Sequence, residues 1–293
     1  MYIFDFIRSL FKKSKIGVFI WILLNVTLIA ALFSAGFTSA EGAFIGVGVY
    51  FISLMIALSP IGEFILRLQT GCKRIKDPII KNRLTELFNE VYLKAKEYNP
   101  ELPKKIKLYI SYSDAPNAFA TGRRTVCVTR GLLEYDDEHI KAVLGHEVGH
   151  LANKDTDTIL VVAVGNLIVS ILFVIIRLFA NISFGIAEFI SSLFGNIGGF
   201  IGGIFRICGK LIADVVLVLL MRLWTQIGVW LCMYSSRKNE YEADAYSVRL
   251  GYGRALCQVL ASFGSSGSKG LFAALSSSHP KTEARIKKIE SIL

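Results

Sequence analysis

The chain has 293 residues, 53% of them hydrophobic and only 19% charged, with a mean hydropathy of +0.51. That balance excludes an ordinary soluble domain and makes membrane the first class to test. The formal net charge of +10 invites a nucleic-acid partner, but the cations flank apolar runs rather than forming one patch, so no nucleic acid is expected. The five cysteines are odd in number and never form a CxxC pair, which excludes a disulfide framework and a cysteine zinc site and leaves reduced thiols.

In chain order, Arg8, Lys12, Lys13 and Lys15 precede the first charge-free run, Ile16 to Ala40. A second such run covers Gly42 to Gly62 and is followed by Arg67, Lys73, Arg74 and Lys76. Each run suits a membrane helix of about 20 residues. Glu41 is the one charge between them, so the cations predict a hairpin with both ends in the cytoplasm. Residues 77–98 then read as an amphipathic helix capped by Asp77, with Pro78 at the first helical position and Ile80, Leu84, Leu87, Val91 and Ala95 on one face. "NPELP" ends it. Short strands follow in "KIKLYIS", "NAFAT" and "TVCVTRG", with a turn at Gly122-Arg123. Tyr135 to Ala152 returns to helix, with Asp136 or Asp137 as cap.

A third span begins at Thr158 and is free of charge to Ile176. A fourth, Leu211 to Ser236, is interrupted by Asp214 and Arg222, which suggests that Arg222 pairs with Asp214 or snorkels, with an inward-facing residue near the site as the alternative. The glycine-rich stretch 189–205 between them reads as an interfacial or re-entrant connector, with a fifth span as the alternative. Beyond residue 236 a helix continues out of the membrane to Gly251. "SSGSKG" forms a loop, and a last helix carries Ile286, Ile289 and Leu293.

The chemistry sits in "KAVLGHEVGHLANKD". The chain has four histidines, and two of them, His146 and His150, are one helical turn apart. Positions i and i+4 share a helix face, so both imidazoles can reach one ion. Glu147 projects about 100° around the helix, out of ligating reach but close enough to act as general base on a water beside the metal. Gly145 and Gly149 open that face to a close neighbour. A catalytic zinc takes a third protein ligand, for which Glu240 and Glu242 in "NEYEAD" are candidates. Glu240 shares its face with Asp244, which could orient a histidine from behind, whereas Glu242 faces away.

"HEVGH" followed by "SRKNEYEAD" resembles the HtpX-type membrane zinc metallopeptidases, whose wider family includes the CAAX prenyl proteases. "NAFATGRRTVCVTRGLLE" and "SSHPKTEARI" match the same family in the same order. The resemblance implies one Zn2+ per chain held by His146, His150 and Glu240, with Glu147 as the base and Asp244 behind a ligand histidine. It places Asn117, Ala118 and Phe119 on a strand beside the site. It places His279 and Arg285 near the cleft, as helpers of the oxyanion or of structure. One departure is visible: the family's His-Pro-Pro is here His279-Pro280-Lys281. The residues by themselves fit "NAFAT" to a rail that receives an extended substrate, and equally to an ordinary half-buried strand.

The expected fold is mainly α with a small β-sheet, an integral membrane protein of about four transmembrane helices with a cytoplasmic zincin-type protease domain. The expected division is 1–66 for the first hairpin, 67–157 for the sheet and the HEVGH helix, 158–236 for the second hairpin, and 237–293 for the part carrying the third ligand. The resemblance implies cleavage of misfolded membrane proteins at the cytoplasmic face of a prokaryotic membrane, with polypeptide substrates and the lipid bilayer as partners. Three rivals remain. An intramembrane protease would not flank its motif with Asp137, Glu138, Lys141, Lys154, Asp155 and Asp157. A prenyl-processing enzyme would have more spans. A scaffold with a structural metal would close the site with four protein ligands.

Overall fold

A computed structural model of the protein describes residues 6–8, 10, 15–36, 39–262 and 281–293. Among these residues the architecture is mostly helical, with one three-stranded sheet. Helices α1 (Ile16–Gly36) and α2 (Ser39–Ala57) form a hairpin. Gly42 and Gly46 let them approach closely: a Cβ at either position would lie within 3 Å of α1 backbone atoms. The charge-free run does not continue as one helix to Gly62. Ser59 caps a new helix α3 (Pro60–Gln69), its hydroxyl accepting from the Ile61 N–H, and Pro60 fills the first helical position.

Helix α4 (Pro78–Tyr98) starts where Asp77 accepts from the N–H groups of Ile79 and Ile80. Its buried stripe is Leu84, Leu87, Phe88, Val91 and Ala95. Strands β1 (Lys107–Ser111), β2 (Ala118–Thr121) and β3 (Thr125–Thr129) form a sheet in the order β1-β3-β2. β1 runs parallel and β2 antiparallel to the central β3, so β2 is an edge. Helix α5 (Asp137–Asn153) follows a 3-10 turn. Ala118, Ala120, Val126 and Val128 of the sheet share a core with Leu84 and Val91 of α4 and with Ile140, Leu144 and Val148 of α5. The opposite face of β3 is also covered, and there Arg67 of α3 donates to the Thr125 hydroxyl.

Helices α6 (Thr156–Ser192) and α7 (Gly195–Arg249) form a second, much longer hairpin. At 55 residues α7 is about 80 Å long, well beyond the bilayer's hydrocarbon core. The stretch expected to be an interfacial or re-entrant connector forms the tip of this hairpin. Its glycines serve packing: a Cβ on Gly198 would lie 2.3 Å from the Ser191 carbonyl, and one on Gly202 2.7 Å from the Ser191 side chain. Nor does Arg222 pair with Asp214, which takes two hydrogen bonds from Arg177 on α6, while Arg222 is exposed. Among the described residues, three stretches are long and apolar enough to cross a membrane: Ile16–Ala35, Ala40–Ala57 and Val169–Ser192. Short helices α8 (Gly253–Ser262) and α9 (Thr282–Glu290) close the chain, with Ile289 buried in the main core.

Candidate active site

The site forms where α5 crosses the last turns of α7. A Cβ on Gly149 would meet Ala243 and Tyr246 at 3.0 Å, and one on Gly145 would meet Ser247 at the same distance. Glycine at both positions therefore lets the two backbones come together, and the Ser247 hydroxyl donates to the Ala142 carbonyl across the crossing. Helix α5 stops at Lys154, whose φ of 59° is left-handed and whose N–H returns to the carbonyls of His150 and Leu151. The buried Lys15 ammonium, at the foot of α1, donates to the Lys154 carbonyl and pins this turn.

The crossing brings together His146, His150 and Glu240. The His146 and His150 Nε2 atoms are 3.1 Å apart. His146 Nε2 lies 3.5 Å from Glu240 Oε2, and His150 Nε2 lies 3.4 Å from Glu240 Oε1. Ligand atoms about 2.0–2.1 Å from a tetrahedral ion lie about 3.4 Å from one another, so these three separations are the edges of such a site. The far side of each ring supports the same conclusion. His146 Nδ1 donates to Asp244 Oδ1 at 2.9 Å, and His150 Nδ1 donates to Asp155 Oδ2 at 3.2 Å. With each Nδ1 facing a carboxylate, both Nε2 atoms face inward towards Glu240, as the ligands of one ion would. The donor set therefore fits a divalent first-row metal.

The electrostatics also favour a cation. Burial works against charge on both imidazoles, but Asp244 and Glu240 outweigh it at His146, whose pKa is raised. At His150 burial is overcome chiefly by Glu240 and Asp155, and the pKa lies well above the ordinary value. Burial would push Asp244 up, yet Arg285 and His146 hold it at about 2. Arg285 grips both oxygens of Asp244, with Nε at 2.8 Å and Nη2 at 2.6 Å, and its Nη1 lies 3.7 Å from Glu240. Asp244 is thus a fixed anion clamped between a guanidinium and a ligand ring.

Glu147 is buried, and its Oε2 accepts from the Ala120 N–H at 2.7 Å. This bond ties the acid to strand β2. The Asn117 carbonyl accepts from the Thr129 N–H, so Asn117 faces β3. By strand alternation the backbone groups of Ala118 and Ala120 face the open edge. Of the three residues expected on the rail, Ala118 presents backbone groups outward, whereas Asn117 and Phe119 are turned towards β3. His279 lies outside the described residues. Glu242 is away from the cluster and within 3.7 Å of Lys238.

Sequence reasoning missed Asp155 and Ala120. The first was detectable as a carboxylate just past the end of a helix that carries a ligand histidine. The second acts through its backbone N–H, and no side chain announces that.

A largely buried His-His-Glu cluster with an adjacent acid held to a sheet edge, in a chain with helices long and apolar enough to cross a membrane, is the arrangement of a membrane metalloprotease. The profile described as Peptidase family M48 matches residues 78–293, and the chain belongs to that family. It is 34% identical over 270 residues to "Protease HtpX homolog" of Chlorobium phaeobacteroides, covering 85% of this chain and 84% of that one. It is 29% identical over 269 residues to "Protease HtpX" of Idiomarina loihiensis, with the same coverage. Among solved structures, "Crystal Structure of S. mikatae Ste24p" aligns with a TM-score of 0.44 and 20% identity, over 99% of this chain and 66% of that one. The present chain therefore spans just under two thirds of that protein.

Proposed function

We propose that the protein is a zinc-dependent endopeptidase that hydrolyses peptide bonds at the cytoplasmic face of a prokaryotic membrane and clears misfolded membrane proteins. The observation that carries this reading is the inward convergence of two imidazoles and Glu240 at tetrahedral edge distances, with Glu147 alongside. A purely structural metal would have no use for Glu147 held against a sheet edge. The protease part combines residues 67–157 with residues 237–293, and the membrane hairpins anchor both. The cations before α1, after α2, before α6 and in the late part of α7 support the cytoplasmic orientation.

When bound, zinc supplies Lewis acidity that activates water and polarises the scissile carbonyl. His146, His150 and Glu240 hold it, and Asp244 and Asp155 fix the two rings. Arg285 spends its guanidinium on Asp244 and Glu240, which favours a structural role over an oxyanion role. The outward backbone groups of Ala118, together with the Ala120 carbonyl, hydrogen-bond an extended substrate as an added strand. Glu147 accepts the proton of the attacking water and returns it to the leaving amine. Its bond to the Ala120 N–H couples proton transfer to the strand that positions the peptide.

Metal quantification and a casein cleavage assay in detergent test this reading. Glu147→Gln is expected to keep one zinc per chain and lose about 10²–10⁴-fold in turnover. Wild-type turnover in that variant would overturn the assignment of the base.

A further inference from the structure

Helix α3 has two faces with opposite surroundings. Ile61, Phe64 and Leu68, spaced i, i+3 and i+7, are 58%, 53% and 65% exposed. On the other side Gly62 and Leu66 are buried, Leu66 packs on Leu160 of α6, and Glu63 and Arg67 turn towards the sheet. The helix begins three residues after α2, a helix long and apolar enough to cross a membrane, ends at Ala57. It leads into the exposed cations Lys73, Arg74 and Lys76, which suit anionic headgroups. A short helix with an apolar outer stripe, at the foot of a span and followed by cations, matches the bilayer interface.

Its inner face grips the hairpin turn between β2 and β3. Glu63 Oε1 accepts from the Arg123 N–H at 2.8 Å. A Cβ on Gly122, whose φ is +65°, would lie 2.3 Å from Glu63 Cγ, so the Glu63 stem lies directly against the turn. Arg67 reaches the Thr125 hydroxyl at 3.3 Å. From the other side, the Arg123 guanidinium forms a buried two-point pair with Asp157 at the start of α6. Two residues before Gly122, the Ala120 N–H holds Glu147.

We propose that α3 lies in the bilayer interface with Ile61, Phe64 and Leu68 among the lipid chains, and that Glu63 on its opposite face is a positioning residue for strand β2 and hence for Glu147. The membrane surface thereby sets the register of the substrate rail. The positioning half rests on the functional reading of β2 and Glu147 given above; the lipid half stands without it.

Two measurements test it on the full-length protein. In the first, a bimane is placed on Phe64→Cys in a Glu147→Gln chain whose other accessible cysteines are replaced by serine. The protein is held in nanodiscs of phosphatidylcholine and phosphatidylglycerol, and a probe on the exposed Glu86→Cys serves as control. Doxyl-labelled lipid is expected to quench the probe at 64 by about half or more and to leave the probe at 86 unchanged. Quenching at 64 by aqueous iodide but not by lipid overturns the placement. So does protection from both quenchers, which would put another protein on this face.

In the second, cleavage is measured with Glu147 intact. Glu63→Ala is expected to lower kcat/KM about tenfold with metal content unchanged, while Glu63→Gln, whose amide oxygen still accepts from the Arg123 N–H, stays within about twofold. If Glu63→Ala fails to fold, Glu63→Asp, with a carboxylate too short to reach that N–H, takes its place with the same expectation. Wild-type activity in the shortened variant, or equal loss in the shortened and Gln variants, overturns the positioning role. An active Glu147→Gln enzyme would instead sink the assignment of the base and leave the quenching result standing.

Discussion

The two ends of α7 are parts of one continuous helix with inverted surfaces. Near its start, Ile197, Phe200, Ile201, Phe205 and Ile207 are exposed, and the polar residues pair with α6: Arg206 with Glu188, and Asp214 with Arg177. Near its end, Asn239, Glu240, Asp244 and Ser247 are buried, and Glu242 on the opposite face is not. The difference follows from what surrounds each half. An apolar exterior with charges paired between neighbouring helices is the pattern suited to lipid. The protease body buries charges only where partners hold them, and at the crossing with α5 those partners are ring nitrogens and a guanidinium.

That contrast can be broken at several points. The largest effect is expected from His146→Ala, which removes a ligand and leaves Asp244 and Glu240 without their ring. Metal content by mass spectrometry should fall to background and cleavage should disappear. Next come the residues behind the ligands. Asp244→Asn, Asp155→Asn and Arg285→Ala should each weaken metal affinity about 10–100-fold while keeping some activity at saturating zinc, as measured by chelator competition. A chelator should also lower the thermal unfolding temperature of the wild type but not of His146→Ala, because the ion binds only the folded protein. Gly149→Val would press a branched side chain into Ala243 and Tyr246 and should cost about 1–3 kcal/mol or more of stability, detected as a lower unfolding temperature. The smallest effect belongs to the first half of α7. Arg177→Leu with Asp214→Leu together should leave thermal unfolding near wild type, whereas Arg177→Leu alone should lower it, since the single change strands a charge.

Much of this organisation was legible in the chain. Uncharged runs marked the helices of the first hairpin, the spacing of His146 and His150 marked a shared helix face, and the family resemblance singled out Glu240 and Asp244 among the downstream carboxylates that the crossing gathers. What stayed hidden depended on geometry that no local pattern records. The run Gly42 to Gly62 conceals a break, because Ser59-Pro60 restarts a helix without introducing charge. The glycines of 189–205 look like helix breakers, yet they are needed where α6 and α7 pack tightly. Asp155 reaches His150 only because Lys154 turns left-handed, and Asp214 finds Arg177 through the long-range pairing of two helices rather than through its neighbour Arg222.

The central claim is a site of two imidazoles and one carboxylate that leaves a position for water. X-ray absorption at the zinc edge on full-length Glu147→Gln protein tests it most directly. The predicted spectrum shows two histidine nitrogens and two oxygens, one of them exchangeable with solvent. A fourth protein ligand, a sulfur, or a single histidine would contradict it.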